Sequence, residues 1–250
     1  MKINIYTTLF GDYDFLSEPK NFDDRINFYV FTNNDLLNCV KWKKIIVNDV
    51  KYTNSQLSRK YKISPFNYFN EDQILIYLDS NIKILETIDP LIDIFKKSNA
   101  DIGFFKHYSS KNIYDEVSSL LLNGNKVDPI LLADEIYNYD LDFNLENFSE
   151  NGIFFRKINS ENINKQKDFS RLWFNLFLAG SGRDQISLPV VRSKNILNEF
   201  FFKSFRDMKR FHISKHKNKT LYLHKIEDYF SKNMNKSLFH KLLHYCTQKI

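Results

Sequence analysis

The chain has 250 residues, of which 43% are hydrophobic and 16% aromatic, enough apolar content for one large domain or one domain with an appendage. Its two cysteines are far apart in sequence and have no metal-type partner at short spacing, which argues against a disulfide scaffold and favours a reducing compartment. The first residues lack an apolar signal core, and no run reaches the roughly 18 apolar residues that span a bilayer. We therefore expect a cytoplasmic protein whose contact with a membrane is peripheral, at the inner face.

The positive charge lies at the end of the chain. The formal net charge is +6, and the segment from Phe201 onward holds 12 Lys or Arg against 3 Asp or Glu, a balance of +9 that leaves −3 for the first 200 residues. Lysines there alternate with Leu, Phe and Met, a pattern that predicts contact with an anionic membrane, which sedimentation with anionic vesicles would test. The alternative is that the apolar residues pack on the rest of the protein. We divide the chain into a domain at 1–200 and a basic, largely helical extension at 201–250.

Apolar runs without helical spacing alternate with amphipathic segments through the first half of the chain, which predicts βαβ units in a doubly wound sheet. The helix near residue 90 is expected to use Asp89 as its N-cap and Pro90 as its first residue. Strands are predicted at 3–9, 26–31, 42–47, 74–78, 82–85, 101–107 and 151–156. Helices are predicted at 55–61, 89–99, 113–123, 129–139 and 160–178, with a last one from about residue 226.

One predicted central strand ends abruptly at the polar sequence Asp79-Ser80-Asn81. Polar residues at the carboxyl end of such a strand lie where open α/β sheets bind their ligands. Asp79 and Asn81 flank one residue, so both side chains can point into one cleft, where a carboxylate and an amide oxygen suit Mg²⁺ or Mn²⁺ carrying a diphosphate. The ordinary alternative is a strand end followed by a turn.

Three further polar stretches accompany this one. The segment from Tyr6 to Asp14 joins the end of the first strand to a turn, and Arg59 and Lys62 are three residues apart and so share one helix face. The third stretch combines Glu150-Asn151-Gly152, at the start of a strand, with Arg183-Asp184-Gln185, which follows a Gly-containing turn.

In this order the four stretches resemble the mucilage-related glycosyltransferase-like family, whose members look like GT-A glycosyltransferases. His107, followed by the helix start at 113–116, also resembles a family segment. The resemblance covers about residues 3–192 and leaves the basic tail out. It implies a GT-A-like (Rossmann-like) α/β fold with a mostly parallel central sheet flanked by helices, and a nucleotide-sugar donor.

The resemblance assigns the donor site to specific residues. A nucleoside pocket, which needs an aromatic face and a few hydrogen bonds to the base, is implied at the ends of the first two strands. Its members are Thr8, Phe10, Tyr13, Thr32 and Asn33. Arg59 and Lys62 would meet the diphosphate, whose charge grows as the sugar departs; the competing interpretation is a solvated basic helix face.

The same resemblance places Asp79-Ser80-Asn81 where GT-A enzymes carry an Asp-x-Asp metal motif. Asn81 replaces the second carboxylate, so one negative charge is lost, the affinity for Mn²⁺ or Mg²⁺ should fall, and Lys or Arg should carry more of the phosphate charge. A histidine from the tail often completes such sites in related enzymes. His216 is our candidate for that ligand and His212 the second; the alternative is that either is simply exposed.

The segment Arg183-Asp184-Gln185 resembles the Asp-Gln element that faces the donor sugar and the acceptor in glycogenin-like transferases. Asn151, in the family-like stretch that begins at Glu150, is assigned to substrate binding as well. On this interpretation Asp184 binds sugar hydroxyls or acts as the base toward the acceptor hydroxyl, and Glu150 is its rival for that role. The structural alternative for Asp184 is a helix N-cap.

We therefore predict a hexosyltransferase-like glycosyltransferase of polysaccharide biosynthesis that moves a sugar from a nucleotide diphosphate sugar, in particular a UDP-sugar, to a glycan or lipid-linked glycan acceptor. The missing second carboxylate would also suit a catalytically silent glycan-binding or scaffolding protein of the same fold. The basic tail, with Phe200 to Phe202 and its histidines, would suit a nucleic-acid-binding protein. It has no recognisable recognition motif, so we expect no nucleic-acid partner.

Overall fold

The structure is a computed structural model that describes residues 1–11, 14–20, 24–122, 127–139 and 147–214. Within these ranges the strands are β1 (Lys2–Leu9), β2 (Ile26–Thr32), β3 (Trp42–Ile46), β4 (Gln73–Leu78), β5 (Ile82–Ile84), β6 (Ile102–Lys106), β7 (Ser149–Ile158), β8 (Glu199–Phe202) and β9 (Phe211–Ile213). Seven of them form one sheet in the order β3-β2-β1-β4-β7-β6-β8, and β5 pairs with β9 in a small second sheet.

The central sheet is mostly parallel, as predicted. β1 pairs in parallel with β2 and β4, β2 with β3, and β6 with β8, whereas β7 is antiparallel to both β4 and β6. All six residues of β4 are buried. A strand that is covered on both faces of a sheet needs apolar residues on both, which explains the continuous apolar run from Ile74 to Leu78.

Helices cover both faces of this sheet. They are α1 (Asn54–Ile63), α2 (Asp89–Lys97), α3 (Ile113–Leu122), α4 (Pro129–Asn138), α5 (Ile163–Ala179) and α6 (Asp184–Arg192). Ile92 and Phe95 of α2 pack in the apolar core on one face. Leu57 of α1, Trp173 of α5 and Leu188 of α6 share the core on the opposite face. α3 and α4 form a smaller apolar cluster that reaches α6.

Local chemistry explains where helices begin and end. Thr53 caps α1, its side chain accepting from the Gln56 amide while the Gln56 side chain accepts from the Thr53 amide, and α1 ends just before Pro65. The N-cap of α2 is Ile88 rather than the predicted Asp89, and it makes no side-chain cap bond. Asp89 is instead the first helical residue, where its negative charge still interacts favourably with the helix dipole.

The sheet extends beyond the domain boundary that we predict after residue 200. That boundary falls inside β8, and Phe200 to Phe202 pack in the sheet rather than in a basic tail. The three phenylalanines are therefore part of the sheet and no longer support the nucleic-acid interpretation, which took them as part of the basic tail. The rest of the predicted extension, 215–250, with its final helix, lies outside the described residues and stays a prediction. Within the described ranges, the structure has no helix with the length and apolar character of a membrane span.

Candidate active site

One edge of the central sheet collects the polar stretches that the sequence singles out. β1 and β4 both end at this edge and β7, which runs in the opposite direction, begins there. Thr8, Asp79 and Glu150 therefore lie on neighbouring strands at one edge. Such an edge is where doubly wound sheets bind ligands.

Asp79 is held in place at the end of β4 by its own strand and by β7. Tyr77 donates its hydroxyl to Oδ1 of Asp79 at 2.6 Å, and Thr8 lies 3.3 Å from the same hydroxyl. Burial, followed by the Asp79 charge, raises the pKa of Tyr77 well above its ordinary value, so the phenol remains a donor. The amide of Asp79 donates to the Gly152 carbonyl at 2.9 Å. The Asp79 side chain is 37% exposed, so its carboxylate is open to a ligand.

Gly152 lets the chain of β7 approach this carboxylate closely. A Cβ atom at position 152 would lie 3.3 Å from Oδ2 of Asp79 and 3.2 Å from the Phe205 ring. Contacts of that length are tighter than ordinary van der Waals packing, so a larger residue would press on Asp79.

Asp184, the first residue of α6, is paired with two cations from α1. Nε of Arg59 lies 3.0 Å from its Oδ1, and Nζ of Lys62 lies 2.8 Å from its Oδ2. Burial alone would raise the pKa of Asp184, but Arg59 and Lys62 outweigh it and hold the pKa far below its usual range. The Asp184 charge in turn raises the pKa of Arg59. Asp184 is not the N-cap of α6, because that position belongs to Arg183.

Arg59 and Lys62 share a helix face, as predicted, but they differ in access to solvent. The Arg59 side chain is 28% exposed, whereas Lys62 is 3% exposed and lies between Asp184 and Asp79, 3.6 Å from Oδ1 of the latter. Arg59 is therefore accessible to a ligand from solvent, whereas Lys62 is not. The solvated-helix interpretation is wrong for both, because each is paired with Asp184.

Glu150 lies at the start of β7 and is nearly as buried as Asp184. Its Oε1 accepts from Nε of Arg206 at 2.6 Å and is also paired with Nη2 of the same arginine. Its Oε2 is buried without a hydrogen-bond partner among the described residues. A buried carboxylate oxygen without a hydrogen-bond partner costs free energy of folding. Oε2 of Glu150 is therefore a candidate to accept a proton or a hydroxyl hydrogen bond from a ligand.

The side chains of Asn151 and Gln185 form hydrogen bonds within the protein rather than facing an open cleft. The Gln185 side chain accepts from the Asn151 amide at 3.2 Å and donates to the Ser149 carbonyl. The Asn151 side chain donates to the Asp184 carbonyl at 3.3 Å and accepts from Ser149 at 3.1 Å. Their polar groups are therefore used to hold α6 against β7. Arg183 keeps a buried Nε without a hydrogen-bond partner in the described part of the chain, so it stays a candidate ligand-binding group.

The residues of the predicted nucleoside pocket lie at different depths in the structure. Phe10 is 4% exposed and its ring stacks on Tyr61, and Thr32 is fully buried, so both belong to the core instead of a pocket wall. The reason is that α1 lies over the ends of β1 and β2. Asn33 is nearer the surface, where it accepts from the Gly11 amide at 3.0 Å and donates to Asn54 at 3.0 Å. Tyr13 lies outside the described residues.

The candidate metal ligands are Asp79 and Asn81. Asn81 is buried, and its side-chain amide donates to the Ser214 carbonyl at 3.0 Å, which fixes the orientation of the group. No cluster of three or more His, Cys, Asp or Glu occurs in the described parts of the chain. His212 lies on β9 with an exposed side chain, paired in register with Lys83 of β5. His216 lies outside the described residues.

Three contributors to the site were missed by sequence reasoning. Tyr77 belongs to an apolar run, which by itself indicates a core residue. Its position two residues before Asp79 places both side chains on one face of the strand, which is the signal that could have identified it. Ser58 lies 2.9 Å from the Thr8 hydroxyl and could have been found from its place beside Arg59. Arg206 was grouped with the basic tail, and nothing in the sequence links it to Glu150, 56 residues earlier.

A mostly parallel α/β sheet whose carboxyl edge carries acidic and basic side chains places the chain in the class of open α/β domains, which bind ligands at that edge. Comparison with family models is more specific. The model for the TOD1/MUCI70 glycosyltransferase-like domain matches residues 1–219, so the chain belongs to that family. No curated protein matches the sequence.

Among solved structures, the chain is similar to that of a WbbM bifunctional glycosyltransferase in its apo form, with a TM-score of 0.47 and 9% sequence identity. The match covers 80% of this chain, which spans 38% of the length of that one.

Proposed function

We propose that the protein transfers a sugar from a nucleotide diphosphate sugar, in the first instance a UDP-sugar, to a glycan or lipid-linked glycan acceptor. The observation that supports this most directly is the carboxylate of Asp79, which is partly exposed at the carboxyl edge of the sheet and whose charge acts on Arg59. Membership of a glycosyltransferase-like family agrees with it. A sugar nucleotide is the ligand class for which such an edge, with both cationic and carboxylate groups, is chemically suited.

In this proposal Arg59 meets the diphosphate. Its Nε is used by Asp184, and its two terminal nitrogens retain N–H groups that match phosphate oxygens. Asp79 and Asn81 would hold Mn²⁺ or Mg²⁺, since one carboxylate and one amide oxygen fit a hard cation that takes its other ligands from diphosphate and water. When bound, the cation supplies positive charge to the diphosphate as it leaves.

The transfer step needs an acceptor hydroxyl to lose its proton as its oxygen bonds to the sugar C1 and the bond from C1 to the diphosphate breaks. We assign the proton to Glu150 in preference to Asp184. Each oxygen of Asp184 lies at ion-pair distance from a cation, whereas Glu150 is paired with Arg206 through Oε1 alone and its Oε2 has neither an ion-pair nor a hydrogen-bond partner in the described structure. Asp184 then serves to hold the two cations of α1 in place.

Calorimetric titration with a panel of nucleotide sugars tests the donor assignment. The unmodified protein should bind one donor class, and Asp79→Ala should weaken that binding at least tenfold, because the carboxylate that carries the metal is gone. The thermal midpoint of Asp79→Ala should stay close to that of the parent, since Asp79 is partly exposed. Equal donor affinity in both proteins would contradict the assignment.

A further inference from the structure

Lys62 is a buried charged side chain that the proposed reaction does not touch. It lies in the last turn of α1, is 3% exposed, and places its ammonium 2.8 Å from Asp184 and 3.6 Å from Asp79. The ammonium also lies over the ring of Tyr77, 4.9 Å from its centroid. The lysine thus joins the carboxylate of α6 to the carboxylate that follows β4.

We propose that Lys62 is a positioning residue, a built-in counter-cation that links Asp79 to Asp184 and sets the affinity of Asp79 for a divalent metal. This inference rests on the proposed donor site. Asp79 already shares its negative charge with a fixed cation, so a metal ion must bind there against the repulsion of Lys62. Loss of the second carboxylate at Asn81 acts in the same direction, because the site has less negative charge with which to overcome that repulsion.

The arrangement also explains why Asp184 has two cationic partners. Arg59 takes one of its oxygens and Lys62 the other, so Asp184 draws Lys62 away from Asp79. The distances agree with this division, since Lys62 is closer to Asp184 than to Asp79. The charge on Asp184 therefore determines how strongly Lys62 neutralises Asp79, although Asp184 itself contacts no metal ligand in our assignment.

Replacing Lys62 with Met tests the role of the charge, and Lys62→Arg serves as the charge-matched control. Mn²⁺ affinity is measured by calorimetry or by electron paramagnetic resonance, without donor or turnover. We expect Lys62→Met to bind Mn²⁺ more tightly, by on the order of tenfold, since the nearest repelling charge is removed. Lys62→Arg should stay close to the parent affinity. Unchanged or weaker Mn²⁺ binding in a folded Lys62→Met variant would overturn the proposal.

Two companion variants extend the test: Asp184→Asn keeps it decisive if Lys62→Met folds poorly, and a double variant locates the effect. Asp184→Asn frees Lys62 to pair with Asp79 alone, so Mn²⁺ should bind more weakly than in the parent, although no ligand has been changed. Tighter binding in Asp184→Asn would count against the proposal. In an Asp79→Ala background, Lys62→Met should bring no gain, which places the effect at Asp79. If Mn²⁺ binding follows this pattern but no nucleotide sugar binds, the proposed function fails while the role of Lys62 stands.

Discussion

At the scale of single residues, the most informative group is Asp184. Its position in the sequence, at the first turn after a Gly-containing loop, suggests either a helix cap or a catalytic base. The structure instead shows Asp184 as an ion-pair partner, because its carboxylate is buried between Arg59 and Lys62. The N-cap position belongs to its neighbour, Arg183. A carboxylate whose pKa is held far down by two cations is a poor proton acceptor.

Asp184→Asn should lower the free energy of unfolding by about 3 kcal/mol at pH 7, because the buried Lys62 and the partly buried Arg59 lose their counter-charge. The pKa of Asp184 is lower in the folded protein than in the unfolded chain, where it is about 3.9. Its contribution to stability is therefore complete above about pH 4 and declines as the pH falls further. Urea unfolding between pH 2 and 7 should show the gap between parent and variant closing on acidification.

The same variant separates the two catalytic interpretations. If Asp184 holds the α1 cations, Asp184→Asn should weaken donor binding together with turnover. Intact donor binding with turnover reduced by orders of magnitude would instead make Asp184 the base. A gap in unfolding free energy that stays constant with pH would contradict the ion pairing itself.

How much of the site could be predicted from sequence is clear from these residues. Asp79 and Asp184 can be chosen as candidates because each follows an element end that the hydrophobic pattern reveals. Their connection through Lys62, like the Arg59–Asp184 pair that spans 125 residues, cannot be predicted, because no local pattern encodes such a contact. The burial of Phe10 and Thr32 depends on tertiary packing, which the strand pattern does not show.

At the scale of elements, the turn between α5 and α6 positions Arg183 and Asp184. Glu135 of α4 supports this turn, since its buried carboxylate accepts from the Ser181 amide at 2.8 Å and from the Tyr139 hydroxyl. Gly180 has no side chain where that carboxylate lies, and an added Cβ would overlap it. Helix α4 thus supports the start of α6 through one carboxylate and one glycine.

Gly180→Ala should expel the Glu135 carboxylate and cost about 1–3 kcal/mol in unfolding free energy, since two partly buried hydrogen bonds are lost. The backbone at position 180 is extended with negative φ, so alanine itself is not strained there. Thermal or chemical denaturation measures the change. Against a Glu135→Ala background the same substitution should cost much less, because the overlap no longer exists. Equal costs in both backgrounds would show that Glu135 does not support the turn.

Helices and strands could be predicted where apolar residues recur with a regular period, and were missed where the segment is too short to show one. The predicted helices at 113–123 and 129–139 match α3 and α4 within one residue at each end. β8 was missed because its four residues, Glu199–Phe202, are too short to show an alternation and adjoin the basic segment. Only pairing with β6 makes this segment a strand.

At the scale of the whole molecule, the alternation of strands and helices was sufficient to predict an α/β fold with a mostly parallel sheet. The strand order was not predictable, because β7 enters between β4 and β6 in the opposite direction and sequence spacing does not specify that insertion. This insertion has a functional consequence. It brings Glu150, at the beginning of β7, to the same edge as Asp79, at the end of β4.

The central claim is that this edge transfers a sugar from a nucleotide donor, and cleavage of the donor tests it most directly. We would measure release of nucleoside diphosphate from UDP-sugars, with and without glycan acceptors, for the unmodified protein and for Asp79→Ala. Turnover by the unmodified protein should rise when an acceptor is supplied and should be lost in Asp79→Ala. A folded protein that binds a nucleotide sugar but never cleaves it would contradict this claim and favour the catalytically silent alternative. Equal turnover in Asp79→Ala would contradict the assignment of the reaction to this edge.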